Sequence, residues 1–200
     1  ITSWRNAWNE NDLPVVFVQL PVSDTDFSRV RLAQLKAYKE IPNVSMAVTV
    51  DCIPNRTLYP TEEAIHFHNK IPVGKRIAYS CLKDVYGYST YNGAGPILKE
   101  SKTENDYILL TLDNVENGLI TNDGNAPKYF AVAGEDGKYY SASAQIISKD
   151  TVKVYSSDVP APKYVRYLCE YDDGFCDGIT FPVVNLYNSA MIPCGTFMND

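Results

Sequence analysis

The spacing of apolar residues changes near residue 90, and this change constrains the fold of the 200-residue chain more than any other feature. Before that point, apolar runs alternate with segments whose apolar residues have helical spacing. After it, short runs rich in β-branched and aromatic residues recur between turn residues. The pattern predicts two units of different architecture, residues 1–90 and residues 91–200.

The first unit alternates strands and helices. Apolar runs at residues 14–20 and 44–50 predict two buried strands, and helical spacing predicts helices over residues 27–41 and 69–86. A βαβα order indicates a parallel sheet covered by helices, and such sheets usually have about four to six strands. Because only two strands are present, we expect this unit to be the C-terminal part of a larger α/β domain.

The second unit has the pattern of an all-β domain. Asp-Gly and Asn-Gly pairs, whose residues tolerate positive φ, separate its apolar runs and indicate hairpins. Runs that recur about every 8–12 residues predict an antiparallel β-sandwich, with a domain boundary near residues 89–96. The predicted strands are residues 107–112, 129–133, 139–147, 151–155, 164–171 and 182–186.

Charge and hydropathy exclude two classes of protein. The formal net charge is −6, with 10 Lys and Arg against 9 Asp and Glu in residues 1–90 and 8 against 15 in residues 91–200. A surplus of acid argues against a nucleic-acid partner, because phosphate contacts need clustered Lys and Arg. No run approaches the roughly 18 apolar residues of a membrane span, and no signal peptide is predicted at the N-terminus.

The cysteines give no zinc motif, because none of them forms a Cys-x-x-Cys pair. Cys52 and Cys81 are expected to be small buried apolar residues. Cys169 and Cys176 flank a turn-like Asp-Asp-Gly segment. These two form a local disulfide in an oxidising compartment or stay unpaired, and the sequence leaves both alternatives open.

Two histidines mark the place where chemistry is expected. His66 and His68 lie in the connection that follows the second predicted strand, where parallel sheets form their ligand crevice. A histidine there can act as a general base if a carboxylate orients it, and Glu63, Asp51 and Glu62 are the local candidates. The alternative is a pair of surface loop histidines. Residues two apart do not face together on a helix, so we predict no metal site and no cofactor.

Several short segments along the chain form a recognisable pattern when taken together: residues 17–20, 30–34, 42–51, 65–66, 69–70, 73–78, 130–134, 165–167 and 185–188. In order and spacing they resemble the latter part of the sialate O-acetylesterases, which are SGNH-type carbohydrate esterases. The resemblance implies the second half of a flavodoxin-like parallel-sheet domain over residues 1–90 and a β-sandwich over residues 91–200. It also implies hydrolysis of O-acetyl esters on sialic acid or related sugars by a Ser-His-acid mechanism.

The resemblance assigns roles to individual residues. His66 matches the histidine that activates the serine, although the family's Ile-His-Pro has Phe67 in place of proline. For the acid we expect Glu63, three residues before His66, with Asp51 as the second candidate. Arg31 and Gln34 match a Leu-Arg-x-x-Gln segment, which implies a substrate-binding role near the acyl or sugar site. Helix packing is the alternative for these two.

The nucleophile of such an enzyme is not in these residues, since no Gly-Asp-Ser, Gly-Gln-Ser-Asn or Gly-x-Ser-x-Gly motif occurs. We therefore expect a C-terminal portion that is inactive alone and pairs with a missing N-terminal part or with itself. Exported family members imply a periplasmic or extracellular location. The alternative function is a non-catalytic β-sandwich module that binds carbohydrate or protein.

Overall fold

The computed structural model describes residues 1–23, 26–55, 57–58, 64–88, 90–169 and 182–199. Helices and a parallel strand pair occupy the first part of the chain, and antiparallel strands occupy the rest. The helices are α1 (Thr2–Trp8), α2 (Ser28–Glu40) and α3 (Ile71–Ser80), with a 3₁₀ turn at Ala64–His66 and a π-helical turn at Cys81–Val85. The strands are β1 (Val15–Val18), β2 (Val44–Ala47), β3 (Ile97–Thr103), β4 (Ile108–Asp113), β5 (Leu119–Thr121), β6 (Phe130–Ala133), β7 (Tyr139–Ile146), β8 (Thr151–Tyr155), β9 (Tyr164–Tyr167), β10 (Leu186–Asn188) and β11 (Phe197–Met198).

β1 and β2 form a parallel pair in which Val15 lies opposite Val44. The connection between them is α2, where the Asp26 carboxylate accepts a hydrogen bond from the N–H of Ser28 at 2.8 Å. After α2 the chain turns at Asn43, whose φ of 55° is one that asparagine tolerates better than most residues. The two predicted strands and the helix between them are therefore present. The larger parallel sheet to which we assigned them stays a prediction.

The β-rich part is mostly antiparallel, as predicted, but it curls into a nearly closed, barrel-like sandwich. Seven strands follow the order β11-β9-β6-β7-β8-β4-β3, and β10 pairs separately with β5. The first half of β7 pairs with β6 and the second half with β8, so the sheet bends at the middle of this strand. At the two edges, Asn199 Nδ2 after β11 donates a hydrogen bond to Ser101 Oγ of β3 at 3.0 Å. This contact brings the edge strands together.

One apolar core spans both parts of the chain. Val48 and Val50, which follow β2, belong to the same buried cluster as Phe130, Tyr167 and Phe197 from the antiparallel strands. The rings of Phe130 and Tyr167 lie 4.8 Å apart, and those of Tyr167 and Phe197 lie 5.2 Å apart. The boundary near residue 90 therefore separates two patterns of secondary structure that share a core.

Residues 91–96, which belong to the predicted domain boundary, run mostly through the interior. The carbonyl oxygen of Gly93 accepts a hydrogen bond from the N–H of Val48 at 3.0 Å, so this segment covers the backbone just beyond β2. A Cβ at position 93 would collide with the carbonyl oxygen of Arg76 and the hydroxyl of Ser80. Glycine is needed here because two backbones approach closely.

Candidate active site

His66 ends the 3₁₀ turn in the connection between β2 and α3. Its side chain is exposed, as is that of His68, whereas Phe67 between them is only 5% exposed. The Lys70 ammonium lies 3.7 Å from the centre of the Phe67 ring, a cation–π contact. Phe67 thus anchors the backbone at the position where the family it resembles has proline, and both histidines remain at the surface.

The start of α3 follows directly after the histidines. The Asn69 side chain accepts a hydrogen bond from the N–H of Ile71 at 3.2 Å, and Pro72 stands in the first turn, where a missing N–H costs nothing. These two residues fix where the connection ends. Glu62 and Glu63 lie outside the described residues, so the pairing of Glu63 with His66 stays a prediction.

Asp51 lies a few residues beyond β2, and both of its carboxylate oxygens bind Arg76 of α3. The Arg76 Nη1 to Oδ1 distance is 2.6 Å and the Nη2 to Oδ2 distance is 2.7 Å. The hydroxyl of Tyr187 on β10 also donates to Oδ2, at 3.3 Å. The second candidate for the catalytic acid is therefore held in an ion pair that links three elements.

Burial and charge at Asp51 shift the pKa values of its neighbours. Burial alone would lower the pKa of Arg76, but the hydrogen bonds and charge of Asp51 raise it above its usual value. Burial, followed by the negative charge of Asp51, raises the pKa of the Cys52 thiol to about 12 and that of Tyr187 above its usual range. The cluster thus holds one carboxylate and one guanidinium, and the thiol and phenol beside them are protonated at neutral pH.

Arg31 is fully buried on α2. Its Nε donates to Thr196 Oγ1 at 2.7 Å, and its two terminal nitrogens donate to the carbonyl oxygens of Pro21 and Leu168, each at 3.1 Å. The guanidinium therefore joins α2 to the segments after β1 and β9 and before β11. The substrate-binding role that the resemblance implies for Arg31 stays a prediction.

Gln34 holds the chain at the end of β1. Its Oε1 accepts a hydrogen bond from the N–H of Leu20, and its Nε2 donates to the carbonyl oxygen of Val18, both at 3.0 Å. The N–H of Gln19 between them donates to Ala47 O at 2.9 Å, so the Gln34 amide binds the edge of β1 that faces away from β2. A contact of Gln34 with substrate also stays a prediction.

Sequence reasoning missed Arg76. The apolar spacing that predicted the second helix gave its buried face as Val73, Ile77, Ala78, Cys81 and Val85. The buried residues of α3 are instead Arg76 and Ser80. Both bind carbonyl oxygens in or just after β2: Arg76 Nη1 donates to Val48 O at 2.9 Å and Ser80 Oγ donates to Met46 O at 3.0 Å. Polar residues at helical spacing beside an apolar stripe could have indicated such bonds.

The described residues contain no group of three or more His, Cys, Asp or Glu side chains arranged to hold a metal ion. In the same part of the chain, no helix is long and apolar enough to cross a membrane. Cys52 is buried, as predicted, whereas Cys81 is half-buried. The suggested partner of Cys169, Cys176, lies outside the described residues.

Comparison with known proteins points to one enzyme class. No protein-family model matches the chain, and no curated protein matches it. Among solved structures, the chain is similar to a carbohydrate acetylesterase from Xanthomonas citri, with a TM-score of 0.83 and 26% sequence identity. The alignment covers 100% of this chain and 44% of the esterase chain. The chain thus spans less than half the length of the enzyme that it matches.

Proposed function

We propose that this chain is the histidine-bearing portion of a carbohydrate O-acetylesterase. The observation that carries the proposal is the structural similarity to a carbohydrate acetylesterase over the whole chain. The exposed His66, in the connection that follows the parallel strand β2, supplies a group suited to acyl transfer.

In the proposed reaction, His66 takes the proton of a serine hydroxyl as the serine oxygen attacks the acetyl carbonyl. The sugar oxygen leaves with that proton, and water, activated by the same imidazole, then releases acetate from the serine. The serine belongs to a part of the enzyme outside these 200 residues, because they contain none of the nucleophile motifs.

Glu63 is the acid that we propose for orienting His66. Asp51 is the weaker candidate, because Arg76 already binds both of its oxygens. A carboxylate in a two-point ion pair has less freedom to turn toward an imidazole. The acetylated sugar that we propose is sialic acid or a related carbohydrate, and Arg31 and Gln34 would act on its binding through the backbone segments that they hold.

One edge of the parallel strand pair supports the proposal that this portion has a partner. β2 is covered by α3 and by the segment around Gly93, but β1 pairs only with β2 within the described residues. Gln34 binds the end of its other edge, at Val18 O and Leu20 N, and the rest of that edge is where we place a further strand. We propose that the serine-bearing part supplies this strand, or that self-association covers the edge, and that the enzyme acts in the periplasm or outside the cell.

The experiment compares two neighbouring histidines in the natural protein that carries these residues. His66→Ala is expected to lower p-nitrophenyl acetate turnover by about 10³-fold or more, as loss of a triad member does. His68→Ala is the matched control, because it removes another exposed imidazole two residues away. Wild-type turnover by His66→Ala would contradict the proposal. Glycan binding without hydrolysis would favour the non-catalytic module instead.

The acid is identified by comparing Glu63→Gln with Asp51→Asn in the same assay. We expect the larger loss of kcat in Glu63→Gln. A larger loss in Asp51→Asn would reassign the acid, and wild-type kcat in both variants would leave a Ser-His pair that works without one.

A further inference from the structure

The connection that carries His66 is closed at its base by the ion pair between Asp51 and Arg76. Asp51 is the first residue after the buried run that contains β2, and Arg76 lies in the second turn of α3, 25 residues later. The connection between them carries His66 and leads into α3, and we call it the His66 loop. A two-point contact between carboxylate and guanidinium restricts both distance and orientation. The pair therefore fixes the two ends of the loop relative to each other.

The β-rich part of the chain holds this pair in place. The Tyr187 hydroxyl on β10 donates a hydrogen bond to Asp51, which lies 136 residues earlier in the chain, and Tyr187 is only 6% exposed. Arg76 Nη1 also donates to the carbonyl oxygen of Val48, which ties the guanidinium to the backbone beyond β2. The base of the His66 loop is thus joined to β2, α3 and β10 at once.

The ion pair between Asp51 and Arg76 is largely removed from water. The side chains of Arg76 and Asp51 are 7% and 18% exposed. Ion pairs that lose this much water contribute little net stability compared with well-packed apolar residues, so stability alone is a weak reason for the pair. Fixed geometry is the property that apolar side chains of the same volume would not supply.

We infer that Arg76 and Tyr187 are positioning residues for His66. They hold Asp51, and Asp51 holds the start of the loop, so that the imidazole reaches the serine at hydrogen-bonding distance. This inference rests on the proposed esterase function. It assigns the β-rich part a role in the reaction: β10 braces the loop that carries the general base.

The test uses kcat and KM of the natural protein with p-nitrophenyl acetate. Tyr187→Phe removes only the hydroxyl, and Arg76→Lys keeps the charge but loses the two-point contact. Because a displacement of about 1 Å can cost on the order of 100-fold in rate, we expect kcat to fall about 100-fold in Arg76→Lys and about 10-fold in Tyr187→Phe. KM should stay within about twofold in both variants, because these residues position His66 and do not bind substrate.

Tyr167→Phe is the matched control. Tyr167 is another buried tyrosine of the β-rich part, and its hydroxyl has no hydrogen-bond partner among the described residues. Its removal should leave kcat unchanged. If Tyr167→Phe lowered kcat as much as Tyr187→Phe does, the effect would come from general loosening of the core, and the inference would be overturned.

Alkylation of Cys52 gives a readout independent of activity. This thiol is 7% exposed and its sulfur lies 3.7 Å from Asp51 Oδ1 and from Arg76 Nη1. Mass spectrometry of the Cys52 peptide after brief iodoacetamide treatment should show faster labelling in Arg76→Lys than in the wild type. Unchanged labelling together with unchanged kcat in Arg76→Lys and Tyr187→Phe would overturn the inference.

The two proposals fail in different ways. A protein without esterase activity, or one in which His66→Ala is fully active, overturns the proposed function and with it the positioning role. An active enzyme that needs His66, but whose Arg76→Lys and Tyr187→Phe variants keep wild-type kcat, overturns the positioning role alone.

Discussion

Replacing Arg31 with methionine tests whether this residue mainly holds the fold together. Methionine fills a similar volume but donates no hydrogen bonds, so the carbonyl oxygens of Pro21 and Leu168 each lose a buried donor. A buried acceptor left without its donor costs about 1–3 kcal/mol, and the bond to Thr196 Oγ1 is lost as well. We therefore expect the free energy of unfolding to fall by about 2–4 kcal/mol, mostly from the unpaired carbonyl oxygen of Pro21, since that of Leu168 keeps a contact from Thr196 Oγ1 at 3.4 Å.

Urea denaturation followed by far-ultraviolet circular dichroism measures this loss. The control is Arg29→Met, which removes the same charge from an exposed position of the same helix and should change stability by less than about 0.5 kcal/mol. Arg31→Lys should also destabilise, because one ammonium does not reach three separate acceptors. If Arg31→Met unfolded at the same urea concentration as Arg29→Met, the hydrogen bonds of Arg31 would contribute nothing to the fold. Its role would then lie in substrate binding alone.

Three further changes test other parts of the structure. Gly93→Ala should lower the free energy of unfolding by about 1–3 kcal/mol, because the new Cβ meets the backbone of α3. Gly74 has open space around it, so Gly74→Ala should stabilise α3 by about 0.5–1 kcal/mol. Equal thermal midpoints for the two variants would contradict the close approach at Gly93. Tyr167→Phe removes a buried hydroxyl without a partner among the described residues, so the unfolding free energy should stay equal or rise by about 1 kcal/mol, and a clear loss in urea titration would show that the hydroxyl has a partner. Hydrogen bonds from the Asn185 amide and from a neighbouring lysine lower the pKa of Asp123, so its carboxylate should stay ionised well below pH 4 in an NMR titration. Because the folded pKa is lower than the unfolded one, the stability that Asp123 contributes is present above its unfolded pKa of about 4 and is lost as the pH falls toward the folded value. A midpoint near pH 4 in the NMR titration of the Asp123 carboxylate would refute this.

Local patterns predicted most of the elements correctly. Apolar runs located β1 and β2, helical spacing located α2, and the recurring β-rich runs located β4 and β6 to β9. The strands that were missed have physical reasons. β3 carries charged residues on an edge and contains a bulge between Leu98 and Glu100, while β5 and β11 are only three and two residues long. The strand predicted over residues 182–186 was misplaced, because β10 is three residues long and overlaps it only at Leu186. Such strands are defined by their pairing partners and not by their own pattern.

The curvature of the β-rich part could not be predicted for a similar reason. Alternation of apolar residues shows which face of a strand is buried, but it does not show that β7 changes partners at its middle from β6 to β8. That change, and the contact of Asn199 with Ser101 that joins the edges, arise from the sheet as a whole. The sequence therefore indicated a sandwich where the structure has a nearly closed barrel-like one.

The amino-acid sequence by itself determined the βαβα beginning, the β-rich remainder and the placement of His66 and His68 in the connection after β2. Each of these depends on residues close together in the chain. Only the tertiary structure decided what surrounds them. Asp51, a candidate acid in the sequence, is bound by Arg76 from 25 residues away and by Tyr187 from 136 residues away. No local pattern encodes such contacts, since they exist only when β2, α3 and β10 pack around this ion pair.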